Sequence, residues 1–92
     1  MEKGDIVTVV TISGEYVGKL VSMEDARVEL ENPRMILSNP ADGSMGFAKG
    51  LAATGEENPT TATFQQVVFV VPSNENVATA HLEATGGLVL AK

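Results

Sequence analysis

Residues 4–31 constrain the fold more than any other stretch, because their pattern predicts three consecutive strands and two tight turns. The strands are rich in β-branched residues or alternate charged with apolar residues, as half-buried strands do. Ser13-Gly14 predicts the first turn, since glycine adopts a positive φ without steric cost. The predicted strands are Ile6–Ile12, Glu15–Met23 and Arg27–Glu31, and Glu24-Asp25 forms the second turn.

Gly18 lies in the middle of the predicted second strand. Glycine weakens a strand interior and usually marks a bend or a close approach of two backbones. We therefore expect the second strand to curl sharply at Gly18, as the middle strand of a small barrel does. Together with the later strands, this meander predicts an all-β fold, a small five-stranded, strongly bent antiparallel barrel that forms a single domain over residues 1–92.

The third strand is followed by the longest connection in the chain. Asn32-Pro33 interrupts the strand, because proline cannot donate to a β ladder, although Met35–Leu37 could resume it beyond a bulge. A stretch rich in Gly, Asn, Pro, Ser and Ala then covers about residues 38–62. Loops of this length in a compact domain are usually functional or disordered. A short helix starting at Ser44 is an alternative there, which its internal glycines disfavour.

The fourth and fifth strands are predicted after this loop. Phe64–Val71 is largely apolar on both faces, which predicts a central strand or a strand that packs against another subunit. Pro72–Asn76 is a turn cluster. Val77–Leu82 predicts the fifth strand, and Leu88–Leu90 is a last apolar segment.

The composition excludes several kinds of protein. A net charge of −6 and a pI near 4.5 argue against duplex-DNA binding, which needs a basic surface. Without cysteine, the chain has no disulfides and no thiolate zinc site. No apolar run approaches a membrane span of about 20 residues and no signal peptide is recognisable, so we expect a cytoplasmic protein. With 43% apolar but only 4% aromatic residues, the core must be small and aliphatic, which favours oligomerisation.

Catalytic groups are sparse, and we predict that the protein is not an enzyme and holds no cofactor or metal. The single histidine, His81, has no cysteine or serine motif beside it, which favours a structural histidine over a general base. The adjacent pairs Glu24-Asp25 and Glu56-Glu57 fall in predicted turns, where carboxylates are normally solvated. Asp42-Gly43-Ser44 is too short for a calcium loop.

The order of these features resembles the first signature motif of Sm and Sm-like proteins. In that family one glycine lies in the first hairpin turn and another in the bent second strand, and an apolar residue and an acid lead into the next turn. The matching positions here are Gly14, Gly18, Met23 and Glu24, with Asp25 as an alternative acid. The resemblance covers about residues 4–37 and 64–82. Similar turn glycines occur in SH3-like barrels, which are the principal structural alternative.

The second signature motif of the family matches less closely. It would map to Val67–Val71, Pro72–Asn76 and Val77–Leu82. The basic residue and glycine of that motif are replaced by Pro72-Ser73, and the asparagine that usually follows the acid is replaced by Arg27 or Val28. The long loop resembles the variable loop between the third and fourth strands of Sm-like proteins. A small acidic barrel without a further domain is similar to phage or prokaryotic members.

The resemblance implies a closed homo-oligomeric ring of about five to seven copies, in which strand four of one subunit pairs with strand five of the next. The candidate interface residues are Val67, Val68, Phe69, Val70, Val71, Val77 and Thr79. The alternative is that Val67–Val71 fill the core of a monomer.

The resemblance also implies a pore lined by two turns that hold unstacked bases of single-stranded RNA or DNA. The candidate nucleic-acid-binding residues are Glu24, Asp25, Arg27, Ser73, Asn74 and Asn76. We therefore predict a ring-forming protein that binds single-stranded nucleic acid and acts in RNA processing or chaperoning. RNA is the favoured ligand over DNA. The alternative is an oligomeric structural or protein-interaction module of viral origin without nucleic-acid binding, which the net charge of −6 favours.

Overall fold

A computed structural model of the chain describes residues 1–86, which form an antiparallel sheet followed by a short helix. The strands are β1 Ile6–Thr11, β2 Gly14–Glu24, β3 Arg27–Ser38, β4 Met45–Phe47, β5 Thr61–Phe64 and β6 Phe69–Pro72, and the helix is α1 Glu75–Ala84. Their order in the sheet is β4-β3-β2-β1-β6, and β5 pairs with β3. The predicted all-β class is confirmed, but the sheet has six strands where five were predicted.

The predicted meander of β1, β2 and β3 is confirmed, although β3 extends beyond its predicted end. The β2–β3 register shifts between Val17 and Lys19 and again between Leu20 and Ser22. Irregularities of this kind bend a strand. The crowding expected at Gly18 is present, because a Cβ added there would lie 3.0 Å from the Leu30 side chain and 3.2 Å from the Glu31 carbonyl oxygen.

The core is small and aliphatic, as the composition predicts. Its main cluster consists of Val7, Val9, Leu20, Val28 and Leu30, against which Phe64, Val67 and Val70 pack, and Tyr16 and Val17 are also buried. Alternate residues of a strand face opposite sides of a sheet, which is why Val7 and Val9 of β1 are both fully buried. Burying each of these side chains contributes about 1.5–3 kcal/mol. Val67 and Val70, two of the predicted interface residues, therefore help to fill the core of their own chain.

The third strand does not end at Asn32-Pro33. β3 continues to Ser38, with Asn32 at a φ of 52°. The backbone N–H of Asn32 donates to the Thr60 carbonyl at 2.8 Å. The two halves of β3 then have different partners, since residues 28–31 pair with β5 and residues 36–38 pair with β4.

The predicted fourth strand, Phe64–Val71, is divided. Gln66 adopts a φ of 55°, which a continuing strand does not allow, so the chain leaves β3 after β5 and joins β1 as β6. The connection Gln65–Val68 bridges the two, and no ladder joins β5 to β6 among residues 1–86. The sheet is therefore not closed into a barrel by strand pairing in this part of the chain.

The predicted fifth strand is wrong, because Val77–Leu82 lies within α1. Asn74 is the N-cap, and its side-chain oxygen accepts from the Val77 N–H at 2.8 Å. Val77, His81 and Thr85 recur at helical spacing and form the more buried face. The small residues of this segment are compatible with a short strand, but the cap and the four-residue spacing favour a helix. The predicted apolar segment Leu88–Leu90 lies outside the described residues.

The long connection between β3 and β5 consists mainly of turns. It contains β4, which pairs with the end of β3, and a bridge between Gly50 and Glu57. The alternative helix from Ser44 is not formed, because Met45–Phe47 is a strand. No helix in residues 1–86 has the length and apolar character needed to cross a membrane.

We expect Gly18→Val to destabilise the fold by about 1–3 kcal/mol, because its added carbons must displace Leu30 and the Glu31 carbonyl oxygen, which would lie 3.2 Å from a Cβ at this position. Gly46→Val is the matched control, since Gly46 also lies in a strand and nothing would lie within 4 Å of its Cβ. Urea unfolding measures both variants. Equal stability of the two would show that the β2–β3 contact tolerates a side chain.

Candidate functional site

The turn between β2 and β3 lies against the connection between β5 and β6. The Val67 N–H donates to the Ala26 carbonyl at 3.2 Å, and the Val68 N–H donates to the Val10 carbonyl at 2.8 Å. The connection Gln65–Val68 thus contacts both β1 and the β2–β3 turn. These two segments form one surface, which we call the turn surface (Glu24–Arg27 and Gln65–Val68).

The polar side chains of the turn surface are exposed. Glu24, Asp25 and Arg27 surround the tip of the turn, and Asp25 has a φ of 51°. Gln65 and Gln66 are exposed beside them. A non-glycine residue at positive φ is uncommon and carries strain of order 1 kcal/mol, and such residues concentrate at functional sites. Gln66 is one of these residues in the chain.

The second group of predicted site residues lies elsewhere. Ser73, Asn74 and Asn76 follow the far end of β6, beside the start of β1. The Ser73 hydroxyl hydrogen-bonds the Thr8 hydroxyl at 2.8 Å, and the Ser73 N–H donates to the Ile6 carbonyl at 3.0 Å. Since the Asn74 side-chain oxygen caps α1, it is already engaged. No hydrogen bond among residues 1–86 joins these residues to the turn at Glu24–Arg27.

Sequence reasoning missed Gln65 and Gln66. A signal was present, because the two amides interrupt an otherwise apolar run between Phe64 and Val67. The pair looked like the polar start of one long strand. The structure shows instead that it begins the connection that packs on the β2–β3 turn.

β6 exposes apolar side chains at the end of the sheet. Val68, just before the strand, is 59% exposed, Phe69 50% and Val71 41%, while Val70 packs on the core. In residues 1–86, β6 pairs only with β1 and β5 pairs only with β3. Each therefore presents one edge whose backbone groups have no ladder partner in the described part of the chain. Val77 and Thr79, also predicted at an interface, lie in α1.

An apolar groove of about 630 Å³ lies between β4 and α1. Met45 and Phe47 line it from β4, and Val77 and Ala80 line it from α1. Asn76 and Glu83 are its most polar lining residues. Ile36 of β3 also lines the groove.

His81 is the buried residue of α1. Its side chain is 2% exposed, its Nε2–H donates to the Asn32 carbonyl at 2.7 Å, and its Nδ1 is buried without a partner among residues 1–86. The hydrogen bond fixes the neutral tautomer with the proton on Nε2, because a carbonyl oxygen only accepts. Burial lowers the pKa of His81, the Asn32 hydrogen bond opposes this, and the nearby Arg34 and Lys19 lower the pKa further.

Arg34 supports the same region from β3. It is largely buried, and its guanidinium donates to the carbonyls of Pro33 at 2.8 Å and Pro59 at 3.1 Å. Burial lowers the pKa of Arg34. Because its donors face backbone carbonyls, Arg34 ties the kink in β3 to the long loop.

Comparison with known proteins does not assign the chain to a family. The sequence matches no protein-family model, and no curated protein matches it. The functional assignment therefore depends on the turn surface, the open strand edges and the α1 region.

We expect Asn74→Ala to destabilise α1 by about 1 kcal/mol, because it removes the oxygen that accepts from Val77 N–H. Asn76→Ala is the control within the first turn and should be neutral or slightly stabilising, since alanine has the higher helix propensity. Hydrogen exchange of the α1 amides measures both effects. Similar exchange in the two variants would contradict a capping role for Asn74.

Proposed function

We propose that the protein is a subunit of an Sm-like ring that binds single-stranded nucleic acid. We propose that it prefers RNA to DNA and acts in RNA processing or chaperoning. The observation that supports this proposal is the position of β5 and β6 at opposite ends of the β1–β3 meander. β6 pairs with β1 and β5 pairs with β3, and each has one unpaired edge among residues 1–86. An unpaired edge is a template for another strand. If β5 of one copy pairs with β6 of the next, the contact is heterologous and repeats until a ring closes.

We also propose that the sheet curls into a small barrel. β5 and β6 are consecutive, they flank the meander, and the connection between them packs on both β1 and the β2–β3 turn. This order supports a small, strongly bent barrel of the Sm-like or SH3-like kind. The register shifts in β2 around Gly18 and the crowded space at its Cβ position support the bend that such a barrel needs.

Exposed apolar groups on β6 support assembly. Phe69 and Val71 project from the same side of the strand and are partly exposed in a single chain. Aromatic residues are enriched in interface cores, and a neighbouring strand would cover them. Val70 points to the core of its own chain, so the interface proposed here uses Val68, Phe69 and Val71.

The turn surface is the proposed nucleic-acid site. The amides of Gln65 and Gln66 can donate to and accept from base edges, and Arg27 can stack on a base or bind a phosphate. Glu24 and Asp25 can only accept hydrogen bonds, from the amino or ring N–H groups of bases, and they repel phosphates. Each subunit contributes one cation, and a ring repeats each contact, so that weak contacts and their salt dependence both add.

A second candidate function is an oligomeric protein-interaction or structural module. The net charge of −6 disfavours a polyanion, and the exposed apolar residues of β6 suit a protein partner. In this function the strand edges act as proposed, while the turn surface has no nucleic-acid ligand.

Native mass spectrometry tests the ring, and we expect a single species of about five to seven copies. The double variant Phe69→Lys and Val71→Lys should give monomers, because charges on an edge strand oppose pairing. Ile12→Lys is the control, since Ile12 is 94% exposed and lies in the β1–β2 turn. A wild-type protein that is monomeric at micromolar concentration would refute the ring.

Binding of a uridine-rich and an adenosine-rich oligonucleotide across a salt series tests the ligand. We expect the double variant Arg27→Ala and Gln66→Ala to bind about tenfold more weakly, which corresponds to about 1.4 kcal/mol, with the ring intact. Lys49→Ala removes an exposed cation from the loop after β4 and should bind like wild type. Absence of wild-type binding at low salt, where phosphate attraction is strongest, would favour the protein-interaction module.

A further inference from the structure

The attachment of α1 depends on one buried side chain. His81 is the buried residue of the helix, and its hydrogen bond to the Asn32 carbonyl is the one that joins an α1 side chain to the rest of residues 1–86. Phe47 of β4 meets the His81 ring edge to face, with centroids 6.1 Å apart. The start of the helix is tied separately, through the backbone of Ser73 to Ile6.

The packed site cannot accommodate a second proton on His81. In the neutral tautomer the proton lies on Nε2, so a further proton would occupy Nδ1, which is buried without an acceptor in the described structure. The charged groups that act on the ring are Lys19 from β2 and Arg34 from β3, and both are positive. The carboxylates of α1, Glu75 and Glu83, are exposed and form no ion pair with the ring. A buried donor without an acceptor and a buried cation beside cations are both unfavourable.

From this geometry we propose that α1 is a proton-operated clamp: protonation of His81 releases the helix from β3 and opens the apolar groove between β4 and α1. Ser73 and Asn74 act as the hinge, because the Ser73–Ile6 bond holds the start of the helix while its middle detaches. Release uncovers Phe47, whose ring meets His81, and the groove that Phe47 and Ile36 line. The proposal is independent of nucleic-acid binding and of ring formation.

The direction of the pH effect follows from linkage. The pKa of His81 is lowered in the clamped state from its ordinary value of 6.5, chiefly by burial. The released histidine therefore binds more protons at mildly acidic pH. The clamp is complete above pH 6.5 and weakens as the pH falls through 6.5 toward the lowered value.

Amide hydrogen exchange at about pH 7.5 and about pH 5, corrected for intrinsic rates, tests the clamp. In the wild type we expect α1 amides to lose protection at the lower pH, while Val7 and Val9 of β1 keep theirs. In His81→Gln, which keeps a donor but does not titrate, the protection of α1 should not depend on pH. Equal loss in α1 and β1 would indicate global unfolding and overturn the proposal.

A second variant keeps the test decisive if His81→Gln fails to fold. Lys19→Gln removes one of the cations near His81, raises its pKa in the clamped state, and should move release to lower pH. Lys49→Gln is the charge-matched control and should leave the midpoint unchanged. An unshifted midpoint in Lys19→Gln, or pH-independent protection in the wild type, would overturn the clamp.

Discussion

The close packing of Gly18 against Leu30 is the constraint on which the other elements depend. It lets β3 lie so near β2 that Leu30 is fully buried between them. β3 then pairs with β5 along residues 28–31 and with β4 along residues 36–38. A side chain at position 18 would push β3 outward, and β5 would move with it. Because the chain passes directly from β5 to the turn surface, the position of the candidate site depends on this one contact.

Asn32 links the sheet to the long loop and to the helix. Its positive φ kinks β3 between the two halves. Its backbone N–H donates to the Thr60 carbonyl at the end of the long loop, and its carbonyl accepts from His81 of α1. A proline follows immediately and cannot donate to a neighbour, which leaves the edge of β3 free to change partners. The interruption predicted at Asn32-Pro33 is therefore a change of partner within one strand.

The sequence predicts local pattern well and long-range pairing poorly. The meander and the close approach at Gly18 follow from turn glycines and β-branched runs, and both are present. The helix was missed because Val77 and Thr79 have β propensity, whereas the Asn74 cap and the burial of His81 decide the outcome. Gln65 and Gln66 were missed because one residue at positive φ divides an apolar run. Which turn packs on which connection depends on tertiary contacts that spacing alone does not encode.

Assembly and nucleic-acid binding would respond to salt in opposite directions. Each copy carries a charge of −6, so a ring accumulates like charge and its contacts must come from backbone pairing and the apolar side chains of β6. Added salt screens that repulsion and favours the ring. The same salt weakens the phosphate contact at each Arg27, and these losses add over the ring. The acidic chain thus separates the two proposed properties: an edge interface that salt strengthens, and a turn surface whose phosphate contacts salt weakens.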